Sequence, residues 1–237
     1  MAPLQTFHDS LLAALRLIVT FDPDLVEIVA LSLKVSLVGV GLAAVIGLPL
    51  GAALAIYPFP GRRAIVLVLD SFMGLPPVAV GLIVYLLLSR SGPLGVLGLL
   101  FTPTAMIVAQ TMLVLPIVAA LAHQFLKDLW HEYAEQLRSL GVGPRQALLT
   151  MLWEGRFSLT TAVLAGFGRA SAEVGAVMIV GGNIDGITRV MTTSIALETS
   201  KGDLPLALSL GIVLIALVLA LNAAADVVRQ AAQRRYG

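Results

Sequence analysis

Apolar residues fall along this chain in long unbroken blocks, separated by short polar passages. The windows 35–57, 71–89 and 204–225 contain no charged residue, and roughly 20 apolar residues in a helix suffice to cross the hydrocarbon core of a bilayer. The blocks are built from Leu, Val, Ala and Gly, without the alternation of a lipid-facing β-barrel strand, so they predict helices that satisfy their own backbone. Five spans are expected, at about 26–57, 64–89, 104–126, 157–181 and 204–226. The charge-free run 91–126 is too long for one of them and holds Pro93 and Pro103, so "SGPLGVLGLLFTP" is expected to be a connection or a partly re-entrant segment. Ahead of the first span, Phe7–Phe21 is interrupted by Asp9 and Arg16 and reads as an amphipathic helix at the interface, or else a short membrane helix; it lacks the pattern of a cleaved signal.

Composition strengthens the membrane assignment. Of 237 residues, 58% are hydrophobic and 12% charged, about half the charge of a soluble domain. The formal net charge of +1 and the lack of interleaved basic and aromatic residues give no reason to expect nucleic acid as a partner. Zero cysteines exclude disulfides and thiolate metal sites, and no metal site is expected. Orientation follows the basic residues. Arg62 and Arg63, the stretch 127–156 and the tail with Arg229, Arg234 and Arg235 hold nine of the fifteen Lys and Arg residues, all on one side of a five-span arrangement. Asp22, Asp24 and Glu27 lie at the other side, so the C-terminus and the 130–156 stretch are expected in the cytoplasm.

That stretch includes "EYAEQLRSLGVGPRQALLTMLWEGR", a polar passage between membrane-length blocks. A short helix ending at Gly141, with Pro144 opening a second one, suits docking into a groove on a soluble partner. The spacing of Glu135 and Gly141 resembles the signature of permease subunits of ATP-binding-cassette importers: Glu-Ala-Ala, three residues, Gly, then nine residues and Ile-x-Leu-Pro. The neighbouring "EYA" is out of register, Gln136 and Leu137 replace the two alanines, and Met151-Leu152-Trp153-Glu154 stands where Ile-x-Leu-Pro is expected. Downstream, "LAGFGRASAEVGAVMIVGGNIDGITRVMTTSIALETSKGD" (164–203) resembles permeases of the tungstate branch of the tungstate, molybdate and sulfate importers, and "LPPVAVG" (75–81) fits the same group.

The resemblance implies an all-α, polytopic membrane protein with the type I importer permease fold: about five core helices plus the N-terminal amphipathic or short membrane helix. It would be a single permease domain over 1–237, with an N-terminal interfacial helix at 1–24, a core at 25–228, a cytoplasmic coupling segment at 130–156 and an extracytoplasmic gate segment at 183–203. Its partners would be ATPase subunits, an extracytoplasmic substrate-binding protein and a second copy in a homodimer. Lys34, Lys127 and Lys201 all lack a preceding Gly, so the chain has no phosphate-binding loop. It is therefore expected to be no enzyme and to hold no cofactor, with ATP bound by the partner. In coupling, Glu135 would offer a charge to a basic residue, Gly141 the turn, Pro144 the start of the next helix, and Leu137, Leu140 and Leu148 apolar contacts.

Arg169 and Glu173 stand four apart in the fourth span and are expected on one helix face. Charges at that depth cost at least ~2.5 kcal/mol each and must face the bundle interior or water. They could clip neighbouring helices together, or they could line the pathway with Gly168, Ser171 and Gly175. A tungstate dianion would be repelled by Glu173 unless Arg169 neutralised it, so no tight oxyanion site is expected there. Gly181, Gly182 and Asn183 would belong to an outer gate, where Arg189 would meet the arriving anion. Val190, Met191, Ile195 and Leu197 in this region suggest a folded helix. Gly39, Gly41, Gly47 and Gly51, with Pro49 between them, suit close helix packing and a kink in the first span, "LPPVAVG" breaks the second, and Asp70 reads as an interfacial acid. Molybdate or sulfate is the alternative cargo. An ion-coupled secondary transporter would need a buried relay larger than Arg169 and Glu173 and, often, repeated halves. A hydrolase would need a catalytic set, whereas His8, His123 and His131 are scattered, without the H-E-x-x-H spacing.

Overall fold

A computed structural model describes the backbone of residues 2–236 and the side chains of 8–224, 226 and 227. Within these residues there are ten α-helices and no strand. They are α1 (Ala2–Val19), α2 (Pro23–Ile56), α3 (Arg62–Phe72), α4 (Pro77–Leu88), α5 (Pro103–Ser139), α6 (Pro144–Glu154), α7 (Arg156–Ser171), α8 (Gly175–Gly181), α9 (Met191–Lys201) and α10 (Leu204–Tyr236), with one 3-10 turn at Gly95–Leu97. Three of them, α2, α5 and the Leu204–Ala224 part of α10, are long and apolar enough to cross a membrane, and there are five spans if each of the pairs α3 with α4 and α7 with α8 counts as one interrupted span. The protein is thus an all-α, polytopic membrane protein. Large apolar side chains such as Val45, Ile215 and Leu219 remain exposed; in a bilayer such surface meets lipid tails as apolar as itself.

Two compact units share the chain: one comprises Met1–Leu37, Pro77–Ala109 and Ser171–Ala224, the other Val38–Pro76, Gln110–Ala170 and Ala225–Gly237. The first is built on Leu25, Ile28, Met191 and Leu210, flanked by Leu17 and Ile18 of α1. In it α4 and α8 pack almost backbone to backbone: a Cβ on Gly81 would lie 2.7 Å from Ala176 Cα. The second is built on Ala52, Ala55, Ile56, Ala122, Leu126, Met151 and Leu159. Here α2 and α5 approach just as closely, since a Cβ on Gly51 would lie 2.6 Å from the Ala119 carbonyl and 2.7 Å from Ala122 Cβ. Small residues at such contacts replace the hydrophobic drive that is absent between helices in lipid.

The spans differ from the sequence expectation in two ways. The third does not stop near 126, because α5 continues to Ser139, so the helix leading to Gly141 is the end of a spanning helix. Nothing between Leu126 and Ser139 breaks a helix, and Leu129, Trp130, Tyr133 and Leu137 pack on the second unit's core and hold the extension in place. The fourth span is interrupted at 172–174, where no proline stands. Side-chain bonds made by Glu173 and Thr192 replace the helical ladder there. The interruption between α3 and α4 was foreseeable: Pro76 and Pro77 restrict the residue before them and withhold two N–H groups.

Candidate functional site

In the second unit, α5 ends in a Schellman motif. Gly141 has φ +70°, its N–H donates to the Arg138 carbonyl at 3.0 Å, and the Val142 N–H donates to the Leu137 carbonyl at 3.0 Å. A left-handed residue at this position favours glycine. Gly143 and Pro144 then open α6, and the Tyr57 hydroxyl donates to the Pro144 carbonyl at 2.8 Å, tying the corner to the end of α2. Ala147 and Met151 are the buried face of α6.

The side chains expected to meet a partner separate into two groups. Glu135 and Leu140 are exposed, whereas Leu137 and Leu148 are half-buried against the unit's own core and brace the corner instead. Leu149 and Trp153, four apart on α6, are exposed in addition. Trp153 is held in place: the Arg156 guanidinium lies 4.6 Å from its ring centre and donates to its carbonyl at 2.6 Å. Leu149 and Trp153 lie outside the sequence expectation, and their four-residue spacing opposite Ala147 and Met151 is the signal that marks them.

The residues expected along the pathway lie around the end of α7. Gly168 and Arg169 occupy its last turn, with open space around Gly168, and Ser171 is its final residue. Gln110 of α5, itself buried, donates to the Ala170 carbonyl at 3.0 Å, satisfying a helix-end acceptor; its role was not visible in the sequence. Glu173 is not on an α7 face, contrary to the expectation of a shared face with Arg169, because the helix has ended two residues earlier.

Glu173 belongs to the first unit, where it is 3% exposed. Its Oε1 accepts the Ala176 N–H at 2.9 Å, and its carbonyl accepts the Thr192 hydroxyl at 2.7 Å. The carboxylate therefore caps α8, one of the settings in which a buried acid is stabilised by a backbone N–H. Gly175 follows, packed so closely on Val78 that a Cβ would come within 2.9 Å of Val78 Cγ2.

Beyond α8, Gly181, Gly182 and Asn183 form a tight exit, with φ +74° at Gly182 and +51° at Asn183. The fully buried Thr188 hydroxyl closes the loop, donating to the Gly181 carbonyl at 2.6 Å and accepting the Ile184 N–H at 2.9 Å. Arg189 does not stand free to meet an anion. Its Nη1 is 2.7 Å from Asp185 Oδ1, and Asp24 and Glu27 share the same small cavity of about 80 Å³. Asp185, four residues earlier, thus occupies one side of the guanidinium, while Nε stays buried without a hydrogen-bond partner. The expected helix over 190–197 is present as α9, anchored by the Ser32 hydroxyl, which accepts the Met191 N–H at 2.7 Å. Among the described residues no group of three or more His, Cys, Asp or Glu could hold a metal.

The sequence profile of a family described as binding-protein-dependent transport system inner membrane component matches residues 47–237. The chain is 46% identical over 211 residues to the tungstate uptake system permease protein TupB of Peptoclostridium acidaminophilum, covering 89% of this chain and 92% of that one. It is 41% identical over 219 residues to the protein of the same name from Campylobacter jejuni, covering 92% of each. A probable anion ABC transporter permease protein of Haloferax volcanii is 42% identical over 204 residues, 84% of this chain and 88% of that protein.

Proposed function

The chain belongs to the binding-protein-dependent transport system inner membrane components, and we propose that it is the translocation subunit of an ATP-binding-cassette importer for tungstate. The observation that carries the reading is the identity of 46% and 41%, over about nine-tenths of the chain, to two tungstate uptake permeases. The subunit acts as a homodimer with two ATPase subunits and an extracytoplasmic binding protein, its C-terminus in the cytoplasm.

The α5–α6 corner supports the docking role. Its backbone is fixed by the Schellman motif and by Tyr57, while Glu135, Leu140, Leu149 and Trp153 are left exposed. An aromatic ring immobilised by a guanidinium loses little entropy on docking, as is typical of residues that dominate an interface. Glu173 acts through position: it ends α7 and starts α8, so the chain near Gly168, Ser171 and Gly175 presents backbone and small side chains to the passing anion. Arg189, paired with Asp185, shapes the outer loop. With Asp24 and Glu27 close by, it does not retain a dianion, and selectivity resides in the binding protein.

The test is uptake of radiolabelled tungstate by cells carrying the complete transporter, with unlabelled molybdate and sulfate as competitors. Uptake that needs all three components and yields to excess tungstate alone is expected; equal competition by sulfate would overturn the cargo. A cysteine added at the C-terminus of this cysteine-free chain tests orientation: labelling in intact cells by a membrane-impermeant maleimide would refute it.

A further inference from the structure

The second unit contains a cavity of about 570 Å³ beneath the α2–α3 turn, lined by Phe59, Arg62, Arg63, Val66, His123 and Lys127. Its size lies within the ~300–1,000 Å³ usual for small-molecule sites. Three cations line it and no carboxylate does. Asp70, the acid on α3, is not among the lining residues, although its charge reaches His123 and offsets part of the three cations. Arg62 is anchored by donating to the Ala55 carbonyl at 3.3 Å, which leaves Arg63 and Lys127 as the adaptable charges. His123 is 9% exposed, and its Nε2 is buried without a hydrogen-bond partner, although buried polar atoms are nearly always paired. Cations converging on an unsatisfied imidazole form a built recognition site for an anion.

The surroundings identify the anion's bearer. Ile65, Leu67 and Val68 of α3 are exposed directly after the two arginines, and Phe59 is exposed at the rim. A charged head thus meets the cavity exactly where an apolar surface is available to a hydrocarbon tail. Basic pockets between membrane helices, together with such surfaces, suit phosphate headgroups of lipids. We infer that this cavity binds the phosphate headgroup of an anionic phospholipid, with Arg63, Lys127 and His123 Nε2 on the phosphate oxygens and the acyl chains along α3. Such a lipid braces the α2–α3 turn against α5. The cavity shares no lining residue with the corner assigned to the ATPase or with the anion pathway, and the inference does not depend on which cargo is carried.

The experiment is native mass spectrometry of the full chain, released from micelles holding equal amounts of phosphatidylglycerol and phosphatidylcholine. Preferential retention of phosphatidylglycerol is expected, reduced about fivefold by Arg63→Gln and again by Lys127→Gln. Arg63→Lys, which keeps the charge, should restore it, separating charge from folding. Equal retention of the two lipids by the unaltered protein would overturn the inference without reference to any variant. Retention unaffected by the two Gln substitutions would do the same. Displacement of phosphatidylglycerol by millimolar inorganic phosphate would assign the cavity to the free ion and refute the lipid.

Discussion

Gly51→Ala and Gly41→Ala place the same methyl group at two points of one helix, with opposite expected results. At Gly51 the new Cβ would lie 2.6 Å from the Ala119 carbonyl oxygen, 2.7 Å from Ala122 Cβ and 2.8 Å from the His123 amide nitrogen. Two of these atoms are backbone and the third is fixed to it, so no side chain can swing aside, and α2 and α5 must separate by most of an ångström. Inserting a methyl into such a contact costs about 1–3 kcal/mol. At Gly41 nothing lies within 4 Å. Both substitutions gain the same helix preference of about 1 kcal/mol for Ala over Gly, so the difference between the two variants isolates the packing cost. Equilibrium unfolding in mixed micelles should find Gly51→Ala less stable than Gly41→Ala by ~1–3 kcal/mol. Equal stability, or the reverse order, would show that the α2–α5 approach is not as close as described.

At the corner proposed to face the ATPase, Trp153→Ala and Leu149→Arg should leave membrane insertion intact while lowering transport-coupled ATPase activity at least tenfold, the scale of a lost interface anchor; the same assay should find Leu148→Ala acting through stability instead. Gly141→Pro and Glu135→Arg should likewise leave insertion intact and uncouple ATPase stimulation from uptake, and unchanged uptake would count against the corner's role. Thr188→Val should cost about 2–4 kcal/mol, since it strands the Gly181 carbonyl and the Ile184 N–H; a thermal midpoint equal to that of the unaltered protein would refute this. Glu173→Ala removes the cap of α8 and should cost ~1 kcal/mol, with Glu173→Gln recovering part of it because an amide oxygen still accepts the Ala176 N–H.

Much of this architecture is written in the apolar blocks, because a chain in lipid must close its own backbone hydrogen bonds and so has few options. The first and last spans were legible for that reason, and the interruption at Pro76 and Pro77 and the turn at Gly141 because each rests on a residue whose backbone restriction is intrinsic. The interruption at 172–174 was not, because Glu173 ends a helix only through bonds to Ala176 and Thr192, and Thr192 is a partner that tertiary folding supplies. Arg189 is a related case. A cation in a Thr- and Ser-rich stretch invites an anion, and its pairing with Asp185 within one turn was not brought out by the sequence. In the proposed coupling segment the turn at Gly141 was readable, whereas the contacts of Leu137, Leu148 and Trp153 depend on which face of each helix the core takes.

The unbroken course of α5 bears on how force travels. From Gln110, bound to the Ala170 carbonyl, to Ser139 beside the Gly141 corner, the helix forms a strut of ~44 Å at 1.5 Å per residue. Pro116 inside the helix withholds one N–H from its ladder, so a push delivered at the proposed docking corner would be carried axially as far as that proline, and the bend there sets how much displacement reaches the end of α7. Under the proposed coupling role, Pro116→Ala should stiffen the strut and bring the movement at its far end closer in size to the motor's stroke.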